Sequence, residues 1–220
     1  MIAIAYHADI KEVQSDPALA GALECAQPSA PFDRLEWFDL LARHCGIAPL
    51  FAGASDGDDA VVLALTESGG RAEALANWYT FRWRPLYRGA AIRPDLLSAL
   101  ARALAQRYPR IDLKGVPDED GEATALCAAL RDTGWLVWRE RCDTNHVLPV
   151  GERSWDAYRA GLPGRLRTTL KRKSGKLDCA VLTHFDPTVW DAYEAIYRES
   201  WKPEEGSPDF LRAFARQEAG

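Results

Sequence analysis

Apolar residues recur along this chain at two periods, and the switches between them mark out its elements. The opening residues, MIAIAYH, hold apolar positions suited to a first strand. Leu35, Phe38, Leu41 and Ala42 then fall at helical spacing, with Asp33 as the N-cap, Glu36 three residues on and Gly46 as the stop. Two short apolar runs, 48–54 and 60–66, flank a Ser-Asp-Gly-Asp-Asp turn and predict a hairpin; a turn at Ser68–Gly70 leads to a third strand over 72–79. Leu96, Leu97, Leu100 and Leu104 line one face of a helix over 93–108, opened by Pro94 and Asp95. A short strand over 110–115, a helix over 119–133 and strands over 135–141 and 144–150 follow. The layout is α/β (α+β) with a mixed sheet, closing near residue 150.

The pattern then restarts. After a helical turn over 155–160, Pro163 suits a first helical position and Gly175 a helix end at positive φ. Leu166, Leu170 and Leu177 lie within about 40° of one another on that helix, which predicts a buried leucine edge. A strand over 177–185 and a helix over 187–201 capped by Asp186 come next. Trp190, Tyr193, Tyr197 and Trp201 form a stripe on that helix, at a spacing more often found in a core than in a ligand box. A last helix over 208–218 has no strand after it, so the second unit reads as incomplete: either the chain is a fragment or the unit's partner surface lies elsewhere.

Charge changes the picture at one place. The chain carries a formal net charge of −5, yet seven basic residues stand between Arg159 and Lys176 with no carboxylate among them. Arg165, Arg172 and Lys176 share one flank of the helix, and Arg167 and Lys171 the other. Two readings stand: a solvated helix face, or a site for phosphate or another anion, which the forked arginine side chain suits. The overall acidity argues against duplex DNA, which needs a broad basic surface.

The segment 77–94 mixes rings with guanidinium groups: Trp78, Tyr79, Phe81, Arg82, Trp83, Arg84, Tyr87, Arg88 and Arg93. Its rings read as core with the arginines on the rim; the other reading is a ligand-binding wall using stacking and cation–π contact.

Other chemistry is sparse. Five cysteines, Cys25, Cys45, Cys127, Cys142 and Cys179, are odd in number and never in a C-x-x-C pair, which points to a reducing cytoplasm rather than a disulfide framework or zinc site. The four histidines are scattered without metal-ligand spacing. The hydrophobic content of 47% is ample for a core, but no run is long enough to span a membrane. The N-terminus does not read as a signal peptide. Arg43–Ala48 fits R-x-x-G-x-A, a loose pattern for cradling a pyrophosphate, but it ends a helix instead of opening one and is rejected.

The element order of residues 1–150 is similar to a GNAT acyltransferase fold. From Trp155 onward the sequence resembles the CelD-like, cellulose-biosynthesis-associated acetyltransferase family, which is related to tandem-GNAT, Fem-type transferases. The carrying residues are W155-x-x-Y158, G161-L162, R165-x-R167-x-x-L170, K171-R172-K173, I196-Y197-x-x-S200-W201-K202 and F210-x-x-x-F214. P31-F32, W37-F38 and W78-Y79-x-F81-x-W83-R84-P85-L86-Y87 are also in keeping with it.

The resemblance implies a GNAT-like unit over 1–150 and the start of a second over 151–220. It further implies acyl transfer from acetyl-CoA or another acyl-CoA to an amine or hydroxyl of a small-molecule or glycan acceptor. On that reading Arg165, Arg167, Lys171 and Arg172 bind an anionic part of donor or acceptor. Trp78, Tyr79, Trp83, Tyr87, Arg88 and Trp201 line the groove, and Tyr87, Tyr197 and Glu199 are the candidates for general base. The sequence departs from the family in two respects: no pyrophosphate loop lies between the third strand and the helix near Arg93, and the second unit stops before reaching one. The alternative function is a non-catalytic module that presents the basic helix to a polyanion, tRNA or an acidic glycan.

Overall fold

The computed structural model describes residues 1–24, 30–89, 92–142, 146–176, 178–200 and 207–219. Its frame is a mixed sheet, β1 (Ala3–His7), β2 (Leu50–Asp56), β3 (Asp59–Ser68), β4 (Arg71–Ala74), β5 (Leu86–Arg88) and β6 (Ile111–Asp112), in the order β1-β2-β3-β4-β6 with β5 also on β3. All steps are antiparallel except the last, β4 to β6, which is parallel. The helices α1 (Ile10–Gln14), α2 (Pro17–Glu24) and α3 (Leu35–Cys45) cover one face. The other is covered by α4 (Pro94–Arg107) and α5 (Glu122–Asp132).

Strand β3 shows why both faces are needed. Successive side chains point to opposite sides of a strand, and Ala60–Leu65 is apolar at every position. Ala60, Val62 and Ala64 therefore enter the core under α1–α3, while Val61, Leu63 and Leu65 enter the core under α4 and α5. The predicted hairpin forms, with Asp56 facing Asp59 and Gly57 taking the positive φ of the turn. Gly46 ends α3 in the left-handed conformation the sequence implies.

The third strand is shorter than the pattern predicts and is interrupted. Leu65 of β3 faces Ala74 of β4, but Val62, three residues earlier, faces Leu86 of β5, twelve later. Thus β4 and β5 are two halves of one strand along β3, with nine surplus residues looped out between them.

Several predicted elements take another form. Asp33 does not cap α3; it sits in a 3-10 turn (Pro31–Asp33), and Arg34 holds the cap position without a side-chain bond, because Asp33 is drawn to arginines described below. Residues 135–142 and 146–150 join no sheet among the described residues. The indole of Trp135 donates to Ala101 O (3.0 Å) and joins the core of α4 and α5, leaving Trp138 89% exposed; β6, only two residues long, offers little edge for pairing. Residues 178–185 likewise form no strand.

Beyond residue 150 lie α6 (Trp155–Ala160), α7 (Gly164–Ser174), α8 (Pro187–Arg198) and α9 (Pro208–Glu218). No residue of α6, α7 or α8 is buried. The predicted leucine edge of α7 is consequently not a buried one: Leu166 is 44% exposed and Leu170 half-buried, and Leu177 lies outside the described residues. Pro163 takes the cap position instead of the first turn, and Gly175 is right-handed (φ −68°). Asp186 caps α8 as predicted, accepting from the amides of Thr188 and Val189. Helix α9 differs from its predecessors because it packs on α3: Phe210 is fully buried, edge-on to Trp37 at 4.9 Å, and Phe214 stands edge-on to the same indole at 5.2 Å.

Candidate functional site

The looped-out residues between β4 and β5 carry most of the aromatic and arginine side chains that sequence singled out. Trp83 is buried where the two half-strands part. Its indole N–H donates to Ala64 O (2.7 Å) and its backbone N–H to Gly115 O (3.0 Å), so the ring fills the gap in the ladder instead of lining a groove. The flanking arginines, Arg82 and Arg84, converge on Asp33. Arg84 Nε lies 3.1 Å from Asp33 Oδ2, Arg82 pairs with the same oxygen, and Arg84 Nη1 reaches Glu122 Oε1 at 2.9 Å. Asp33 and Glu122 are the buried charged residues among those described, and each lies against a guanidinium, as a buried carboxylate requires.

Tyr87 sits beside this cluster. Its hydroxyl is buried without a hydrogen-bond partner among the described residues. Burial pushes the phenol well above its ordinary pKa and the Glu122 charge adds to that, with Arg84 opposing. Such a phenol stays protonated at neutral pH, which removes its use as a ready base. Tyr79 stacks on Phe210 (5.8 Å, 3° between planes), and Arg88 donates to Pro17 O (3.1 Å). Trp78 and Phe81 stand out in solvent, 70% and 80% exposed. The structure thus scatters the predicted groove set between core, helix edge and surface, and Trp201 lies outside the described residues.

The start of α4 is where a phosphate-cradling turn would sit, since free amides and the helix dipole favour an anion there. Carboxylates hold that place. Arg93 forks onto Asp95 (2.9 and 2.6 Å), pairs with Asp59 and lies 3.7 Å from Asp56. The Asp95 carboxyl is held at about 2, chiefly by the Arg93 fork, with burial opposing and the Leu96 amide assisting. Three carboxylates around one arginine leave this helix start negative.

Helix α7 is the opposite case. Its first turn has no acidic residue and no side-chain cap. Arg165, Lys171 and Arg172 are exposed and form no ion pair among the described residues, while Arg167 Nη1 donates to Ala160 O at 2.6 Å. These four predicted anion-binding residues therefore lie on one solvent-facing helix, and none of them is paired with a carboxylate among the described residues. On α8, Tyr197 is half-buried with its ring 6.1 Å from Tyr193, and Glu199 is exposed at the C-terminal cap.

Sequence reasoning missed the Asp33–Arg84–Glu122 chain. The one available signal was the i, i+2 spacing of Arg82 and Arg84, which puts both on one side of an extended segment; their partners lie 49 to 51 and 38 residues away. It also passed over the His7 Nε2–Asp16 Oδ2 pair at 3.0 Å, where Asp16 simultaneously accepts from the Ala18 and Leu19 amides. Cys45, Cys127, Cys142 and Cys179 are free thiols, and no group of three metal-ligating side chains occurs among the described residues. No helix there is long and apolar enough to cross a membrane. Set against protein-family models, curated proteins and solved structures, the chain matches none.

Proposed function

We propose that this protein is a GNAT-like acyltransferase of the cytoplasm that moves an acyl group from acyl-CoA to an amine or hydroxyl of a small-molecule or glycan acceptor. The observation that carries the reading is the topology. An antiparallel run from β1 to β4 ends in one parallel step, β4 to β6, with α4 between them, and this agrees with the first part of the element order on which the GNAT resemblance rests, though residues 135–142 and 146–150 do not add the two closing strands of that order. Acyl transfer asks little covalent chemistry of the protein; it needs the thioester held against the nucleophile and the developing oxyanion stabilised. Because carboxylates ring the start of α4, the phosphates of the donor go to α7, where Arg165, Arg167, Lys171 and Arg172 supply charge-assisted donors.

Calorimetric titration with acetyl-CoA tests this. Saturable binding is expected, weakened about tenfold in an Arg165→Glu/Arg172→Glu variant through loss of two charged contacts. No heat of binding at millimolar cofactor would overturn the reading.

The occupied start of α4 also favours a second reading, a non-catalytic module that binds a polyanion through α7. Its mark is binding to single-stranded RNA or an acidic glycan that falls steeply as salt rises, with no response to acetyl-CoA.

A further inference from the structure

The aromatic stripe of α8 is not absorbed into a core. Trp190 and Tyr197 are half-buried and Tyr193 is 44% exposed. Together with Tyr79 and the start of α9 they surround a cavity of about 200 Å³. The rings are tilted, not stacked flat: Trp190 and Tyr193 lie 5.2 Å apart at 52°, and Tyr193 and Tyr197 6.1 Å apart at 33°. The tilt sets successive rings at different angles along the cavity lining.

The polar groups of this cavity are fixed. Trp190 Nε1 donates to Glu194 Oε1 at 2.8 Å, Arg212 Nε to the same oxygen at 2.9 Å, and Arg198 Nη2 lies 3.4 Å from Oε2. Held chiefly by Arg212, with burial opposing and the Trp190 indole assisting, Glu194 stays a carboxylate down to about pH 2. Arg212 also pairs with Asp191, and Asp209 lines the rim. Arg212 and Arg198 are paired with Glu194 and Asp191, while Asp209 has no ion pair among the described residues, so a phosphate finds no uncompensated cation and the hydroxyls of a neutral ligand find carboxylate acceptors. Size narrows the ligand further. A dry cavity of about 150 Å³ admits benzene, so the space beside α8 suits one six-membered ring with small substituents.

We propose that the cavity between α8, α9 and Tyr79 binds a single neutral pyranose ring. Its C–H faces lie on Trp190, Tyr193 and Tyr197, and its hydroxyls donate to the carboxylates of Glu194 and Asp209. Aromatic faces attract polarised C–H groups, and hydroxyl-to-carboxylate bonds are charge-assisted. The site stands whether or not the protein transfers acyl groups, and its test reads binding alone.

Ligand-observed saturation-transfer NMR on the full chain with methyl β-glucopyranoside provides that test, with tetramethylammonium and inorganic phosphate as competitors. At about 0.3 kcal/mol per non-hydrogen atom, a sugar of this size binds with Kd on the order of 1 mM. Saturation should reach the ring C–H protons. Tyr193→Ala, at a position too exposed to be needed for folding, should weaken binding up to about tenfold, and Tyr193→Phe should restore it. No transfer to the sugar, or transfer unchanged in both Tyr193→Ala and Tyr197→Ala, would overturn the proposal. So would displacement of the sugar by equimolar tetramethylammonium or phosphate.

Discussion

Two arginine clusters stand out in the sequence, and the fold treats them in opposite ways. Arg82 and Arg84, on the sheet unit, meet two buried carboxylates and become fasteners that tie the looped-out segment to the 3-10 turn before α3 and to α5. Arg165, Lys171 and Arg172, on α7, meet no carboxylate among the described residues and keep their charge in water. The same pairing of arginines with neighbouring apolar residues therefore gives structure in one place and an available cationic surface in the other. What separates them is not the arginines but whether a distant Asp or Glu is folded against them. A neutralised guanidinium inside a protein is a brace, and an unneutralised one outside is a binding group.

The sharpest way to test this division is to ask what each region contributes to stability. Phe210→Ala, which empties a fully buried aromatic position between α9 and Trp37, should cost about 3–5 kcal/mol and show as a large drop in the denaturation midpoint. A small effect would mean that α9 adds little to the sheet unit. Asp33→Asn should cost about 3 kcal/mol, at the low end for a buried pair because its arginines are partly exposed, and should speed proteolysis within residues 76–85. A neutral outcome would show that the Arg82–Arg84 cluster is no brace.

A pH titration addresses the junction of α8 and α9. The Glu194 carboxyl is depressed from 4.5 to about 2, mainly by Arg212. Since the folded value lies below the unfolded one, its contribution is complete above pH 4.5 and is lost as the pH falls toward 2. The thermal midpoint of Glu194→Gln should accordingly vary less than that of the parent across that window. The smallest expected effect is on α7. Arg165→Glu/Arg172→Glu should change stability by no more than about 0.5 kcal/mol, measured by denaturant unfolding, even though it reverses two of the charges on the cationic face. A larger loss would show that these arginines brace something after all.

The parts of the fold legible in the sequence are those where local spacing and burial agree. The leucines of α4 at i, i+1, i+4 and i+8, the Asp-Gly hairpin, the Asp186 cap and the bounds of α9 are all set by neighbours in sequence. Strand predictions failed over the described residues 135–141, 146–150 and 178–185, where apolar residues are present but no sheet edge is paired with them. Hydrogen bonding to a partner strand is what makes a strand, and the sequence of one segment does not contain its partner. The candidate site divides along the same line. The basic character of α7 was plain from composition, while the fate of Trp83, Arg82 and Arg84 depended on Ala64, Asp33 and Glu122, which are remote in sequence.

The chain by itself determined its alternating helices and strands, the two-faced burial of β3 and the cationic stretch from Arg159 to Lys176, because these follow from periodicity and residue type. Only the tertiary structure decided that one strand would open to release nine residues and that Asp33 would abandon a helix cap for two arginines. It alone settled that the rings of α8 would stay half-exposed around a cavity. Each of those outcomes depends on which distant groups compete for the same partner, and that competition is resolved in space, not along the chain.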